Sequence, residues 1–203
     1  MCVILVCPEG VRPDPDTVAA CHEINPHGIG LAWRSGGLVH WVKGLDLAGL
    51  LERLGDVPGE AVIHFRWASV GEVVPQLCHP FPVTAKAGTR LSGRARSLLF
   101  HNGTWPQWRS MLHRLPRSHR PAGHLSDTRV AASLLSLTGP SVLDELPGRW
   151  VVFGPGATSL HGDWTPWRGM QASNLHFLSF LRSRELLHQG TFTFPCFCGT
   201  PDT

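Results

Sequence analysis

The chain has 203 residues, 42% of them hydrophobic and 16% charged, with a formal net charge of +3. That composition suits one globular domain with a sizeable core, and the basic excess is too mild to argue for a nucleic-acid partner. No apolar run approaches the length of a membrane span, and Met1–Gly10 lacks the basic region of a secretory signal. The expectation is therefore a cytoplasmic protein, not membrane-bound, whose six cysteines are reduced thiols.

Cys2–Cys7 is a continuous apolar run closed by Pro8, the pattern of a strand buried on both faces. Asp14–Glu23 carries helix start signals, and Asn25–Gly28 carries turn chemistry. Gly28–Arg34 and Leu38–Lys43 read as a hairpin around Ser35-Gly36-Gly37. Leu45–Leu54 places leucines at helical spacing and stops at Gly55. Glu60–Arg66 and Ser97–Phe100 are expected as buried strands, and the proline-rich Val74–Val83 as extended chain. Trp105–Leu115 and the segment from Ser126 to Leu137 are expected as helices, the second with a side-chain cap, followed by a short helix over Ser141–Leu146. Arg149–Phe153 and Thr158–His161 are strands about a Gly-Pro-Gly turn, Gly169–Ser173 is one more strand, and Leu175–Leu187 is the last helix. The basic clusters Arg90–Arg96 and His113–Arg120 read as solvated loops. Strands and helices in mixed order, with several hairpins, exclude a simple alternating parallel fold and favour α+β layers. Residues 1–190 are taken as one domain. Residues 191–203 form a tail with Cys196 and Cys198 one residue apart, too close and too few for a zinc site, so no metal is expected.

Four places carry residues suited to chemistry at strand or helix ends. Cys2 follows the initiator methionine. Once Met1 is removed, its thiol and a free α-amine sit on one residue, with pKa values of about 8.5 and about 8, so each can exchange a proton with the other near neutrality. The plain alternative is an edge residue of the first strand. Arg66 stands at a strand exit, where a guanidinium grips a carboxylate through two bonds or else makes a structural salt bridge. Asn102 and Gly103 end another strand. A side-chain amide beside a backbone N–H without a Cβ in the way makes an oxyanion hole, or simply an Asn-Gly turn. Asp127 holds an ammonium group or caps a helix.

In order along the chain, these segments resemble the glutaminase domain of class II glutamine amidotransferases, which are N-terminal-nucleophile hydrolases. Met1-Cys2 is similar to the processed nucleophile. Asn25-Pro26-His27-Gly28-Ile29-Gly30 is similar to the family's Asn-x-x-Gly-x-Gly, and His64-Phe65-Arg66-Trp67-Ala68-Ser69 to its His-x-Arg-Trp-Ala-Thr. His79-Pro80-Phe81, His101-Asn102-Gly103 and Ser126-Asp127-Thr128 match its His-Pro-Phe, His-Asn-Gly and Ser-Asp-Thr. The motifs cover residues 1 to 137.

The resemblance implies a four-layer αββα sandwich with no cofactor. It implies that Cys2 attacks the glutamine side-chain amide and that its own amine is the base. Asn102 and the Gly103 N–H then hold the oxyanion, Arg66 the α-carboxylate and Asp127 the α-ammonium, while Trp67 and Ser69 line the pocket. Two departures stand out. Val70 occupies a position where several members carry histidine, and the chain has no room for the synthetase domain usually fused to this one. The ammonia then goes to a separate synthetase or acceptor subunit or is released, or the substrate is a γ-glutamyl amide of a small metabolite or peptide. A non-catalytic binding or assembly partner of this fold is the remaining alternative.

Overall fold

The computed structural model describes residues 1–188. Cys196, Cys198 and the expected tail lie outside the described residues. The first strand, β1 (Val3–Cys7), is buried along its whole length. It pairs on one side with β4 (Ala61–Phe65) and on the other with β11 (Met170–Ala172), both antiparallel. The helix α1 (Pro15–Ile24) lies between β1 and the hairpin β2 (Ile29–Ser35) and β3 (Leu38–Leu45). In the hairpin Ser35 faces Leu38, and the two-residue turn uses Gly36 and Gly37 at φ +60° and +70°. Both values lie in the left-handed region that matches the strand twist in such turns and that glycine adopts without cost.

The short helix α2 (Leu47–Leu54) is capped by Asp46, whose carboxylate accepts from the Gly49 N–H at 2.8 Å. The remaining elements are β5 (Phe81–Pro82), β6 (Ser92–Ala95), β7 (Leu98–Asn102), α3 (Trp108–Arg114), α4 (Asp127–Thr138), β8 (Arg149–Phe153), β9 (Thr158–His161), β10 (Thr165–Trp167) and α5 (Leu178–His188). They complete two sheets, one of seven strands in the order β10-β11-β1-β4-β2-β3-β6 and one of four in the order β5-β7-β8-β9.

Strand alternation sorts the core into three layers. Val3, Leu5 and Cys7 of β1 face outward with Ile29, Leu31, Ile63 and Phe65, and α1, α2 and α5 cover them with Val18, Leu50 and Leu181. Ile4 and Val6 face inward and meet Phe100, Val151 and Phe153 of the second sheet. The far face of that sheet, with Leu99 and Trp150, packs on Val130, Ala131 and Leu134 of α4 and on Trp108 of α3. The result is the expected αββα sandwich. Each fully buried large apolar side chain contributes on the order of 1.5–3 kcal/mol, so the layer between the sheets is what keeps them stacked. Among the described residues no helix is long and apolar enough to cross a membrane.

Three segments differ from the sequence reading. The cluster Arg90–Arg96 contains an edge strand, β6, paired with β3. Its charged residues, exposed or half-buried, suit an edge because they discourage pairing with another chain. The stretch Val74–Val83 is broken by a 3₁₀ turn at Pro75–Leu77 before the two-residue strand β5. The single strand expected at Gly169–Ser173 is the second arm of a hairpin, β10–β11. Its turn uses Arg168 and Gly169 at φ +43° and +78°.

Candidate active site

Cys2 sits just ahead of β1 and is 8% exposed. Its Sγ accepts a hydrogen bond from the Trp67 backbone N–H at 3.3 Å and lies 3.4 Å from the Trp67 carbonyl oxygen. Its own carbonyl accepts from Asn174 Nδ2 at 2.7 Å. Burial pushes the thiol pKa up, while the Trp67 N–H, the terminal amine and the Arg66 guanidinium pull it down. The sulfur is therefore held protonated until a nearby base takes its proton.

Arg66 leaves β4 where the chain is pinned to the β2 entry. Its N–H donates to the Gly28 carbonyl at 3.0 Å, and its carbonyl accepts from the His27 N–H at 3.1 Å. Gly30, further along β2, lets the His79 backbone approach the strand. A Cβ there would lie 1.6 Å from the His79 carbonyl oxygen, a collision with backbone that no rotamer relieves. The Arg66 side chain donates from Nη2 to the Glu72 carbonyl at 2.8 Å, while Nη1 is buried without a hydrogen-bond partner. A buried guanidinium with one arm unsatisfied is poised for an anion. Beyond it, Trp67 is 44% exposed and stacks on His27 at 4.9 Å. The Ala68 N–H donates to His27 Nδ1 at 3.0 Å. Ser69 Oγ reaches Thr104 Oγ1 at 3.0 Å, joining the loop after β4 to the loop after β7.

The end of β7 supplies the facing wall. Gly103 lines the cleft beside Cys2. A Cβ at Gly103 would lie 2.8 Å from His101 Nε2 and 2.9 Å from Gly148 Cα, so only glycine fits this turn. Asn102 is fully buried next to it, with Nδ2 placed 2.9 Å from Ser173 Oγ and Oδ1 without a partner. In this orientation the amide nitrogen points to Ser173 and not into the cleft.

The capping role at α4 falls to Ser126, whose Oγ accepts from the Arg129 N–H at 3.3 Å. That frees Asp127, the first helical residue, to face the cleft. Its Oδ2 accepts from the Trp105 N–H at 3.0 Å and its Oδ1 from the Thr128 N–H at 2.8 Å. Each oxygen retains capacity for another donor. Burial raises the Asp127 pKa, and the backbone donors hold it down.

Behind these groups lies a buried histidine cluster. The Thr128 hydroxyl bridges His79 Nε2 at 2.9 Å and His101 Nδ1 at 3.3 Å, and His64 Nε2 donates to the His101 carbonyl at 3.2 Å. His101 stacks on Trp150 at 3.6 Å. Burial lowers the pKa of His64 and of His101 to about 3, and that of His79 well below its ordinary value. The 3.7 Å approach of His101 Nδ1 to Asp127 Oδ2 is therefore a contact with a neutral ring.

One narrow cleft thus collects Cys2, Arg66, Trp67, Ser69, Gly103 and Asp127. It spans about 300 Å³ when its open mouth is included. Its lining offers a sulfur, a cation and an anion. Two residues that hold the site from behind escaped the sequence reading, Ser173 beside Asn102 and Asn174 on the Cys2 carbonyl. They directly follow the three-residue strand β11, and their only sequence signal is a polar pair at a strand end.

No protein-family model matches the chain, and no curated protein sequence does. Solved structures do. Glutamine phosphoribosylpyrophosphate amidotransferase from B. subtilis, complexed with ADP and GMP, superposes with a TM-score of 0.61 at 16% identity, covering 90% of this chain and 44% of that one. A structure described as the allosteric regulatory enzyme of purine biosynthesis gives 0.60 at 18% identity, over 90% and 43%. The chain thus spans less than half the length of either protein. What it shares with them is the architecture described above, an αββα sandwich.

Proposed function

We propose that the chain is a class II glutamine amidotransferase-like amidohydrolase that releases ammonia from the side chain of glutamine. The observation that carries this reading is the cleft itself. A nucleophilic sulfur shares it with a buried arginine, whose Nη1 has no hydrogen-bond partner, and with a buried carboxylate, the pair of charges an α-amino acid requires.

In this reading Met1, which is 60% exposed, is removed, and the new α-amine of Cys2 is the base. The glutamine α-carboxylate binds Arg66 Nη1 and its α-ammonium binds Asp127, while Trp67 and Ser69 line the pocket. The amine takes the thiol proton, and the sulfur attacks the amide carbon. The oxyanion forms against the Gly103 N–H and, with its side chain turned, the Asn102 amide. Collapse breaks the C–N bond, and the ammonium gives its proton to the leaving nitrogen, which departs as ammonia. Water then adds to the γ-glutamyl thioester, the amine again taking the proton, and glutamate leaves as the thiol reforms. The ammonia passes to a separate synthetase or acceptor subunit, or into solution.

Intact-mass spectrometry tests this, before and after treatment with the diazo-ketone analogue of glutamine, alongside an assay for glutamate and ammonia. Loss of Met1, one adduct on Cys2 and glutamate release are expected. An adduct without glutamine turnover, with turnover of another amide in a γ-glutamyl panel, would move the substrate to that amide. A retained Met1 with no adduct would overturn the enzymatic reading in favour of a binding partner.

A further inference from the structure

Ser173 holds a position that the proposed chemistry needs filled. It is 1% exposed and continues the β11–β1 ladder past the end of the strand. Its N–H donates to the Ile4 carbonyl at 2.9 Å, and its Oγ accepts from the Ile4 N–H at 2.9 Å. The oxygen is thereby fixed to the strand that carries the nucleophile. The next residue, Asn174, holds the Cys2 carbonyl. The same two residues therefore touch both the nucleophile's backbone and the Asn102 side chain.

The amide of Asn102 has two orientations of equal shape, and hydrogen bonding decides between them. With Nδ2 toward Ser173, the serine oxygen accepts twice, from Ile4 and from Asn102. Its hydroxyl proton then has no acceptor among the hydrogen bonds of Ser173, and Asn102 Oδ1 is buried and unpaired. Each such unpaired buried group is destabilising, because it has lost its water partner and gained none. With the amide turned by 180°, the hydroxyl donates to Oδ1 over the same 2.9 Å, and both of those groups are satisfied. The group left over is Nδ2, a buried donor on the residue that directly precedes the cleft-lining Gly103.

From this we infer that Ser173 is a positioning residue of the oxyanion site: its hydroxyl donates to Asn102 Oδ1 and so presents Nδ2 to the developing oxyanion. The catalytic consequence rests on the amidohydrolase reading above, while the orientation itself does not. An empty oxyanion site leaves one donor unpaired, and a negatively charged oxygen in the transition state satisfies it, so the bond strengthens where rate is gained.

Two experiments test it. Neutron diffraction from deuterated protein locates the deuterons directly. The Ser173 deuteron is expected on the line to the Asn102 side-chain oxygen, and an amide deuteron of Asn102 aimed at Ser173 Oγ would overturn the inference. Kinetics supplies the second test, as a cycle of Ser173→Ala and Asn102→Ala. Ser173→Ala alone is expected to lower kcat ~10- to 100-fold, within the loss seen on removing one oxyanion donor. KM for glutamine and the rate of Cys2 alkylation by iodoacetamide should stay within about twofold, because a merely structural defect would move them. In the Asn102→Ala background the same change should cost less than about twofold, and Ser173→Thr should restore most of kcat. Equal losses in both backgrounds would overturn the inference. If the deuterons lie as expected but no amide is hydrolysed, the amidohydrolase reading fails and the orientation stands.

Discussion

Asp127→Asn separates what this residue does for the fold from what it does for a ligand. In the fold, its two oxygens each accept one backbone N–H, from Trp105 and Thr128. An asparagine offers one oxygen, so one of these N–H groups would face an amide NH₂. An unsatisfied buried donor costs about 1–3 kcal/mol, and a chain of this size loses roughly 2–4 °C of Tm per kcal/mol. For a ligand, the loss is the attraction between a carboxylate and an α-ammonium. At ~4 Å and an effective dielectric of ~20 this is about 4 kcal/mol before desolvation. A net 2–4 kcal/mol corresponds to a ~30- to 1000-fold fall in kcat/KM for glutamine.

The assay compares glutamine with glutaramic acid, which lacks only the α-amino group. The parent should prefer glutamine by a similar ~30- to 1000-fold. The Asp127→Asn variant should turn over both poorly and discriminate less than about fivefold, because the group that reads the ammonium is gone. A variant that still prefers glutamine as strongly as the parent would refute the assignment, whatever its Tm. The parent should also bind glutamine more weakly on the acid side, since protonating Asp127 removes its charge at a pKa above the ordinary 3.8.

The histidine cluster predicts acid lability. His64 and His101, at about 3 in the folded state against an ordinary 6.5, stay neutral where the unfolded chain takes up protons. Their contribution is therefore fully present above pH 6.5 and is lost as pH falls toward 3, by up to about 1.4 kcal/mol per pH unit for each ring. Urea unfolding between pH 7.5 and 4.5 checks this, and a flat stability across that range would contradict it. Phe100→Ala opens a cavity between the sheets, where Phe100 is 0% exposed. It should cost about 3–5 kcal/mol by chemical denaturation, and a loss under about 1 kcal/mol would mean the sheets do not pack there. Gly30→Ala drives a Cβ into the His79 carbonyl and should lower Tm steeply or prevent folding, whereas Gly88→Ala, with nothing within 4 Å, should stay within ~0.5 kcal/mol of the parent. Equal thermal melts for these two variants would deny the close contact of β2 with the His79 backbone.

The sequence made legible those features that rest on strand ends and strong local patterns. Cys2, Arg66 and Gly103 lie at or just beyond the ends of strands β1, β4 and β7, whose apolar runs are plain to read, and the structure brings all three into one cleft with Asp127. The order of helices and hairpins also sufficed for a layered α+β fold. The edge strand β6 was hidden because its residues alternate without an apolar face. The β10–β11 hairpin was half hidden because its arms are three residues each, and Pro166 argues against a strand except at an edge. Ser173 and Asn174 were out of reach for a different reason. Their partners, Asn102, Ile4 and Cys2, are 71 to 172 residues away, and no local pattern encodes a contact set by sheet pairing. The expected direction of the Asn102 amide was likewise a matter of its partner, since nothing in His-Asn-Gly says which way the side chain is turned.

The pairing of β1 with both β4 and β11 has a consequence for synthesis. A chain leaving the ribosome exposes Cys2 first, Arg66 later, then Asn102 and Asp127, and only after residue 174 the pair that grips Ile4 and the Cys2 carbonyl. Contacts of such long separation close slowly, because the loop entropy is lost before the contacts compensate it. A nascent chain thus carries Cys2 without the neighbours that restrain it until residue 174 has been made. Alkylation of Cys2 by a glutamine-shaped reagent would therefore serve as a late marker of maturation, silent on ribosome-bound chains that stop before β11 and appearing only when the central sheet has closed.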